Sequence, residues 1–305
     1  MIQLERCSRW YGQVIGLNDV TCTIGPGLTA LLGMNGAGKS TMMRLITGQI
    51  RPTTGNVTVF GHEPFSNAEV YRRLGYCPEI DNFYEYMSGR GFVHHLARLA
   101  GMTSQQAKTR TEEVLVTVGM AERADRKIAG YSKGMRQRIK LAQAMLSDPD
   151  IILLDEPLNG LDPVGRHEYI QLLHYLANQG KVILVSSHIL YEVEQMTQAL
   201  LLLHRGRLLA TGDLKIIRSL IDKHPHQVRI TTPDARRAAS LLAALPNVVS
   251  LSFAPGGEAL QLEVRDPNTF YDSLSDISLN ENLPIRGLSS PDNNLEAVFK
   301  YLVGT

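Results

Sequence analysis

The stretch LTALLGMNGAGKSTMMRLITG, residues 28–48, decides the reading of this chain. Its opening, Leu28–Leu32, is a compact apolar run that predicts a strand, and TMMRLITG reads as a helix stopped by Gly48. Between them Gly33–Ser40, GMNGAGKS, matches the pattern GxxxxGK[ST]. Glycines let backbone N–H groups wrap a chain of phosphates, Lys39 adds a point charge for the outer ones, and Ser40 offers a hydroxyl to Mg²⁺. An ordinary glycine turn before a helix is the bland alternative, and the strand–loop–helix context argues against it.

The flanking chain has the same character. DIILLDEP and KVILVSSH are apolar runs of the kind buried on both faces of a parallel sheet, NVTVFG reads as a further strand, and residues 82–146 are mostly helical. That order predicts a doubly wound α/β domain over residues 1–222 with a helical insertion at about 82–146. The polar segment Ile221–Gln227, with Pro225, marks a boundary. Beyond it, residues 226–305 run HQVRITT, ARRAASLLAAL, VVSLSFA, EALQLEVR, NTFYDSLSDI, LPIRGLSS and NNLEAVFKYLV. The first six alternate as βαββαβ, a small ferredoxin-like α+β domain, and an Asn-capped helix closes it.

Composition narrows the class. The chain has 305 residues, 44% hydrophobic and 20% charged, with a formal charge of +1, which excludes wholesale disorder and gives no sign of a basic nucleic-acid stripe. Three cysteines, Cys7, Cys22 and Cys77, form no metal-like spacing and fit a reducing compartment. Glu5 and Arg6 stand where a signal peptide needs an apolar core. The longest apolar runs, such as Ala199–Leu203, fall far short of the roughly 20 residues of a membrane span. A cytosolic protein is expected.

Two further motifs carry chemistry. Ile151–Pro157, IILLDEP, places two carboxylates at the end of a buried strand, where ligands of an open α/β sheet gather. There Asp155 would hold Mg²⁺ and Glu156 would polarise an attacking water as general base. Tyr131–Leu146, YSKGMRQRIKLAQAML, makes a Ser-Lys-Gly turn into a helix, a second anion-binding helix start on the same chain.

The ordered set resembles the ATP-binding cassette (ABC) ATPases, P-loop NTPases with a RecA-like core and a helical insertion, from about Leu4 to Asp222. The resemblance implies two domains dimerised head to tail around two ATP molecules, each P-loop sharing its ATP with the partner's signature loop. It implies nucleotide contacts from Gly33, Met34, Asn35, Gly36, Ala37, Gly38, Lys39, Ser40 and Thr41, and from Tyr11 stacked on adenine, with Trp10 as its rival and core packing as the alternative for either. The signature residues would be Ser132, Lys133, Gly134 and Met135, directed at the partner's ATP. Asp162 in GLDP would be the D-loop residue facing across the dimer, and His188 the switch histidine that senses the γ-phosphate. Ser40, Asp155 and Glu79 would hold Mg²⁺, and Glu79 would also contact the attacking water as a catalytic residue beside Glu156 and His188.

Two positions depart from the commoner pattern: Glu79 stands where a glutamine is usual, and YSKGM replaces LSGGQ. Both variants, and the closing NLEAVFKYLVG, resemble an exporter-type branch that works with separate membrane subunits. The resemblance therefore implies an ATP-hydrolysing subunit, a homodimer or heterodimer, on the cytoplasmic face of a membrane beside integral permease subunits, with no nucleic acid expected. The alternative is a soluble ABC protein acting on ribosomes or DNA, although the chain has one cassette and no sustained heptads between Ser40 and Asp155. A non-hydrolysing regulatory module is disfavoured by intact Lys39, Asp155, Glu156 and His188. His94–His95 and His224–His226 read as solvated surface histidines, and Ala235–Arg237 as an exposed helix face.

Overall fold

The structure is a computed structural model that describes residues 1–213, 225–254 and 259–290. It divides into two compact units, Met1–Asp213 and Leu214–Thr305. Asp222, the expected end of the first domain, His224 and the expected closing helix 293–303 lie outside the described residues.

In the first unit the strands are β1 (Ile2–Tyr11), β2 (Val14–Ile24), β3 (Gly27–Leu32), β4 (Thr54–Val59), β5 (Leu74–Cys77), β6 (Ile151–Leu154), β7 (Val182–Ser187), β8 (Ala199–His204) and β9 (Arg207–Asp213). Six of them form one sheet in the order β5-β6-β7-β3-β8-β9, parallel except for the antiparallel edge strand β9. Every residue of β6 and β7 is buried, as their unbroken apolar sequences require. Alternate residues serve opposite faces: Ile152 and Leu154 join the core beneath the helical insertion, whereas Ile151 and Leu153 join the core around β1 and the helix after β3.

The doubly wound expectation needs one amendment. β4, read as one more strand of the alternation, belongs with β1 and β2 to a separate antiparallel sheet of order β2-β1-β4. Ile2 and Leu4 are buried while Glu5 is exposed, and Ile2 pairs with Val59. Nothing local in these short runs announces which sheet they enter.

The helices are α1 (Lys39–Ile46), α2 (Ala68–Arg72), α3 (Gly89–Leu99), α4 (Ser104–Thr117), α5 (Lys133–Ala144), α6 (Pro163–Asn178) and α7 (Leu190–Met196). α1 ends where Gly48 takes φ +68, with Gln49 N–H bonded to Arg44 O at 2.9 Å and Gly48 N–H to Leu45 O at 3.1 Å. That is the Schellman stop, and glycine is required because a Cβ there would lie 2.2 Å from Pro64 O. α3, α4 and α5 make up the helical insertion, and α4 starts with a capping box between Thr103 and Gln106. All three cysteines are free and buried, and burial pushes the thiols of Cys7, Cys22 and Cys77 up to about 11, 12 and 12.

The second unit contains β10 (His226–Thr231), β11 (Val248–Phe253), β12 (Ala259–Val264) and β13 (Gly287–Ser289), with helices Ala235–Leu242 and Pro267–Asn280. Its strands pair antiparallel in the order β11-β12-β10-β13, the arrangement of a βαββαβ ferredoxin-like sheet. Val228, Ile230, Leu260, Leu262, Leu242 and Phe270 form its core.

Candidate active site

The loop after β3 is built to bring backbone close to a ligand. A Cβ on Gly33 would stand 2.5 Å from Leu203 O, and one on Gly38, which has φ +108, would stand 2.4 Å from Gly16 O. Gly36 also has positive φ, at +78. The loop delivers Lys39 as the first residue of α1, where helix N–H groups lack intrahelical partners. Lys39 is buried, its Nζ donating to Gly33 O at 2.7 Å and Met34 O at 3.3 Å.

The carboxylates follow β6 directly. Asp155 N–H bonds Cys77 O at 2.9 Å, and its Oδ1 accepts from Ser186 Oγ at 2.6 Å. The same hydroxyl accepts the N–H of Glu156 at 2.8 Å. Glu156 sits at φ +49, a left-handed conformation that costs on the order of 1–3 kcal/mol and persists only where surroundings over-determine it. Its Oε1 forms an ion pair with Lys39 Nζ at 3.1 Å, and Oε2 lies 2.9 Å from His188 Nδ1. Lys39, Glu156 and His188, from three different strand ends, thus form one polar chain.

Lys39 and Glu156 line a cleft of about 550 Å³, whereas His188, held against Glu156, is not among its lining residues. Met34, Asn35, Gly36 and Gly38 line one side, Lys39, Ser40 and Thr41 the start of α1, and Glu79, Asp155 and Glu156 the acidic side. Gly33 and Ala37 support the loop from beneath, and Ala37 is buried. Tyr11 lines the cleft's mouth at 40% exposure, whereas Trp10 is not among the lining residues; both are too exposed for core packing. The Tyr11 ring is held by Arg9, whose guanidinium carbon lies 5.0 Å from the ring centroid, and it leans on Gly16, where a Cβ would approach it to 2.8 Å.

The turn expected to act as the signature loop opens elsewhere. Ser132, Gly134 and Met135, together with Asp162, line a separate cavity of about 740 Å³ in the same unit. Ser132 caps α5, accepting from Met135 N–H at 3.3 Å, and Asp162 caps α6, accepting from Gly165 N–H at 2.6 Å. Lys133 stands apart from these neighbours: it is not among the residues lining that cavity, and its Nζ lies 3.4 Å from Asp81 Oδ2.

Several contributors were not legible as site residues: Val14, Ile15 and Gly16 line the cleft, and Arg9 and Ser186 support it. Ser186 had a faint signal, a hydroxyl at the end of a wholly buried strand. Its replacement by Ala would leave two buried polar groups unpaired, so we expect a loss of about 2 kcal/mol. For a unit of this size that is roughly 4–8 °C in Tm, checked by thermal unfolding. Turnover should fall as well, because Glu156 loses the bond that fixes its backbone.

Among the described residues no cluster of three or more His, Cys, Asp and Glu could cage a metal. Ser40, Asp155 and Glu79 nevertheless face the same cleft as the phosphate loop, a hydroxyl and two carboxylates of the hard-oxygen chemistry that suits Mg²⁺.

Residues 17–159 match the family model described as ABC transporter. An ABC transporter ATP-binding protein of Synechocystis sp. is 36% identical over 216 residues, covering 70% of this chain and 61% of that protein. The chain thus accounts for about three fifths of that relative's length. The Nod factor export ATP-binding protein I of Rhizobium sp. is 30% identical over 307 residues, covering 99% of this chain and 97% of its own. The chain belongs to the ABC transporter ATP-binding family. A solved ATP-binding subunit of an ABC transporter is 31% identical, with TM-score 0.63, covering 72% of this chain and 92% of that structure. In this ABC cassette the family match spans the phosphate loop and Asp155–Glu156, while Tyr11, Asp162 and His188 lie outside it.

Proposed function

We propose that this ABC protein hydrolyses ATP in a head-to-tail dimer and energises export through separate membrane permease subunits. One observation carries the shared-site reading. The phosphate loop and both carboxylates line one cleft, with His188 held against Glu156, whereas Ser132 and Gly134 face a different cavity. A second subunit, identical or related, would bring its signature loop to the first one's ATP.

The chemistry then follows from the residues. Arriving phosphates draw Lys39 away from Glu156, so the carboxylate that was paired becomes available as a base. Glu156 accepts the proton of the attacking water through one oxygen while His188 holds the other, and Ser186 fixes the carboxylate of Asp155 and the backbone of Glu156. Ser40, Asp155 and Glu79 would hold Mg²⁺, which when bound neutralises charge on the phosphates. Tyr11 would stack on adenine, worth on the order of 1–3 kcal/mol if stacking of nucleic-acid bases is the guide.

Among the described residues no helix is long and apolar enough to cross a membrane. The pore would lie on other chains, with this protein on their cytoplasmic face. Ile80, Tyr84 and Tyr86, between β5 and α3, are 72%, 59% and 73% exposed, an apolar patch fit for a permease segment. Export is supported by a relative named for export that aligns along both units. The ribosome- or DNA-acting alternative finds no support in either named relative.

A tagged chain purified from detergent-solubilised membranes is expected to bring down a stoichiometric partner with several apolar spans. Tyr84→Ser with Tyr86→Ser should lose that partner while phosphate release by the isolated chain stays within twofold or so. Capture of ribosomal or DNA-associated proteins alone would remove the transporter reading and leave the ATPase chemistry standing.

A further inference from the structure

The Glu79 loop is tied to the signature helix by a lysine that the nucleotide chemistry does not use. Lys140 lies on α5 with its side chain 4% exposed, an expensive place for a cation unless it is fully partnered. Its Nζ donates to Pro78 O at 2.9 Å and Glu79 O at 3.1 Å and forms an ion pair with Asp81 Oδ1 at 2.9 Å. Cys77 Sγ, one residue upstream of that loop, donates back to Lys140 O at 3.2 Å.

Asp81 reaches a second lysine on the same helix. Lys133, two turns earlier, stands 3.4 Å from its Oδ2, so one carboxylate bridges two cations on one helix face. Burial alone would raise the Asp81 carboxyl, but Lys140 and Lys133 outweigh it and hold it below the usual carboxylate range. The stem of Lys133 meanwhile rests on the loop before Asp162, since a Cβ on Gly160 would lie 3.3 Å from Lys133 Cγ. Lys133 and Asp81 are partly open to solvent, which screens their pair, so buried Lys140 carries most of the attachment.

We propose that Lys140 and Asp81 are a positioning pair that locks the Glu79 loop to the signature helix, so that nucleotide in a subunit's own cleft sets the geometry of the loop it offers to a partner. The inference rests on the shared-site reading above. Glu79 faces the subunit's own cleft, and its carbonyl is pinned to the helix whose first turn carries Ser132 and Gly134. A shift of that loop on nucleotide binding is passed to α5 through four contacts on one residue. A lysine that served only to anchor α5 would stabilise the helix without transmitting the state of the cleft.

Hydrogen exchange read by mass spectrometry on the full chain separates these cases, at concentrations where light scattering shows a monomer. With Mg-ATP, exchange across residues 34–41 should slow in the wild type and in Lys140→Met alike. Exchange across residues 132–136 should change by about 5- to 150-fold in the wild type, the usual span of coupling between sites, and little in Lys140→Met. An equal change at 132–136 in both proteins overturns the proposal. Absence of any slowing at 34–41 in the wild type defeats the nucleotide reading itself, and the coupling falls with it. If Lys140→Met loses cooperative unfolding, Asp81→Asn on the partly exposed loop serves as the second variant, with the same loss of response expected and the same persistence contradicting it.

Discussion

Replacing Glu156 with Gln is expected to lower ATP turnover by about 10²–10⁴-fold, the usual contribution of a general base. Binding of ATP should remain within a few-fold of wild type or tighten. The amide keeps the shape of the side chain, so the strained backbone at φ +49 and its bond to Ser186 are undisturbed. What disappears is the basic oxygen and the charge that holds Lys39 at 3.1 Å. Lys39 is then free to meet phosphate without first leaving a carboxylate. Single-turnover phosphate release measures the first effect, and equilibrium binding of a fluorescent ATP analogue the second. Turnover retained at the wild-type level would move the base elsewhere in the cleft, where Glu79 and Asp155 are the other lining carboxylates.

Lys39→Ala should act on binding and on stability together. Truncating one member of a buried, hydrogen-bonded charge pair costs about 2–5 kcal/mol, so ATP affinity should fall roughly 30- to 4,000-fold. The free protein should also melt earlier, because Glu156 Oε1 is buried and Lys39 is its ion-pair partner. Adding Glu156→Gln to Lys39→Ala removes the orphaned charge. The double variant should therefore regain much of the lost Tm and none of the lost affinity. Non-additivity of this kind is expected for groups in contact, and thermal unfolding beside titration calorimetry resolves it. Equal Tm losses in the single and double variants would show that the Lys39–Glu156 pair contributes nothing to the free protein.

The parts of this molecule that were legible in the sequence are those set by local pattern. The strand before Gly33, the helix stopped at Gly48 and the buried runs ending at Asp155 and Ser187 each carry their own period and punctuation. The same holds for the βαββαβ order of the second unit, whose strands alternate. What escaped the sequence depends on distant pairing. That β4 leaves the main sheet to join β1 and β2 is a matter of partners such as Ile2 and Val59. Trp10 and Tyr11 are neighbours on one strand and so point to opposite faces, and only the register of β1 decides which reaches the cleft. Ser186 contacts Asp155 and Glu156 across 31 and 30 positions, and Lys140 reaches the Glu79 loop across more than 60. Lys133 sits within the signature motif, yet its side chain serves Asp81, a residue with no pattern of its own to mark it.

The shared-site account is tested most directly by the mass of Glu156→Gln in solution, by light scattering with and without Mg-ATP. With nucleotide a dimer is expected, and adding Ser132→Arg should return it to monomer by crowding the γ-phosphate of the partner's ATP. A monomer in both proteins, with ATP shown to be bound, would contradict the account.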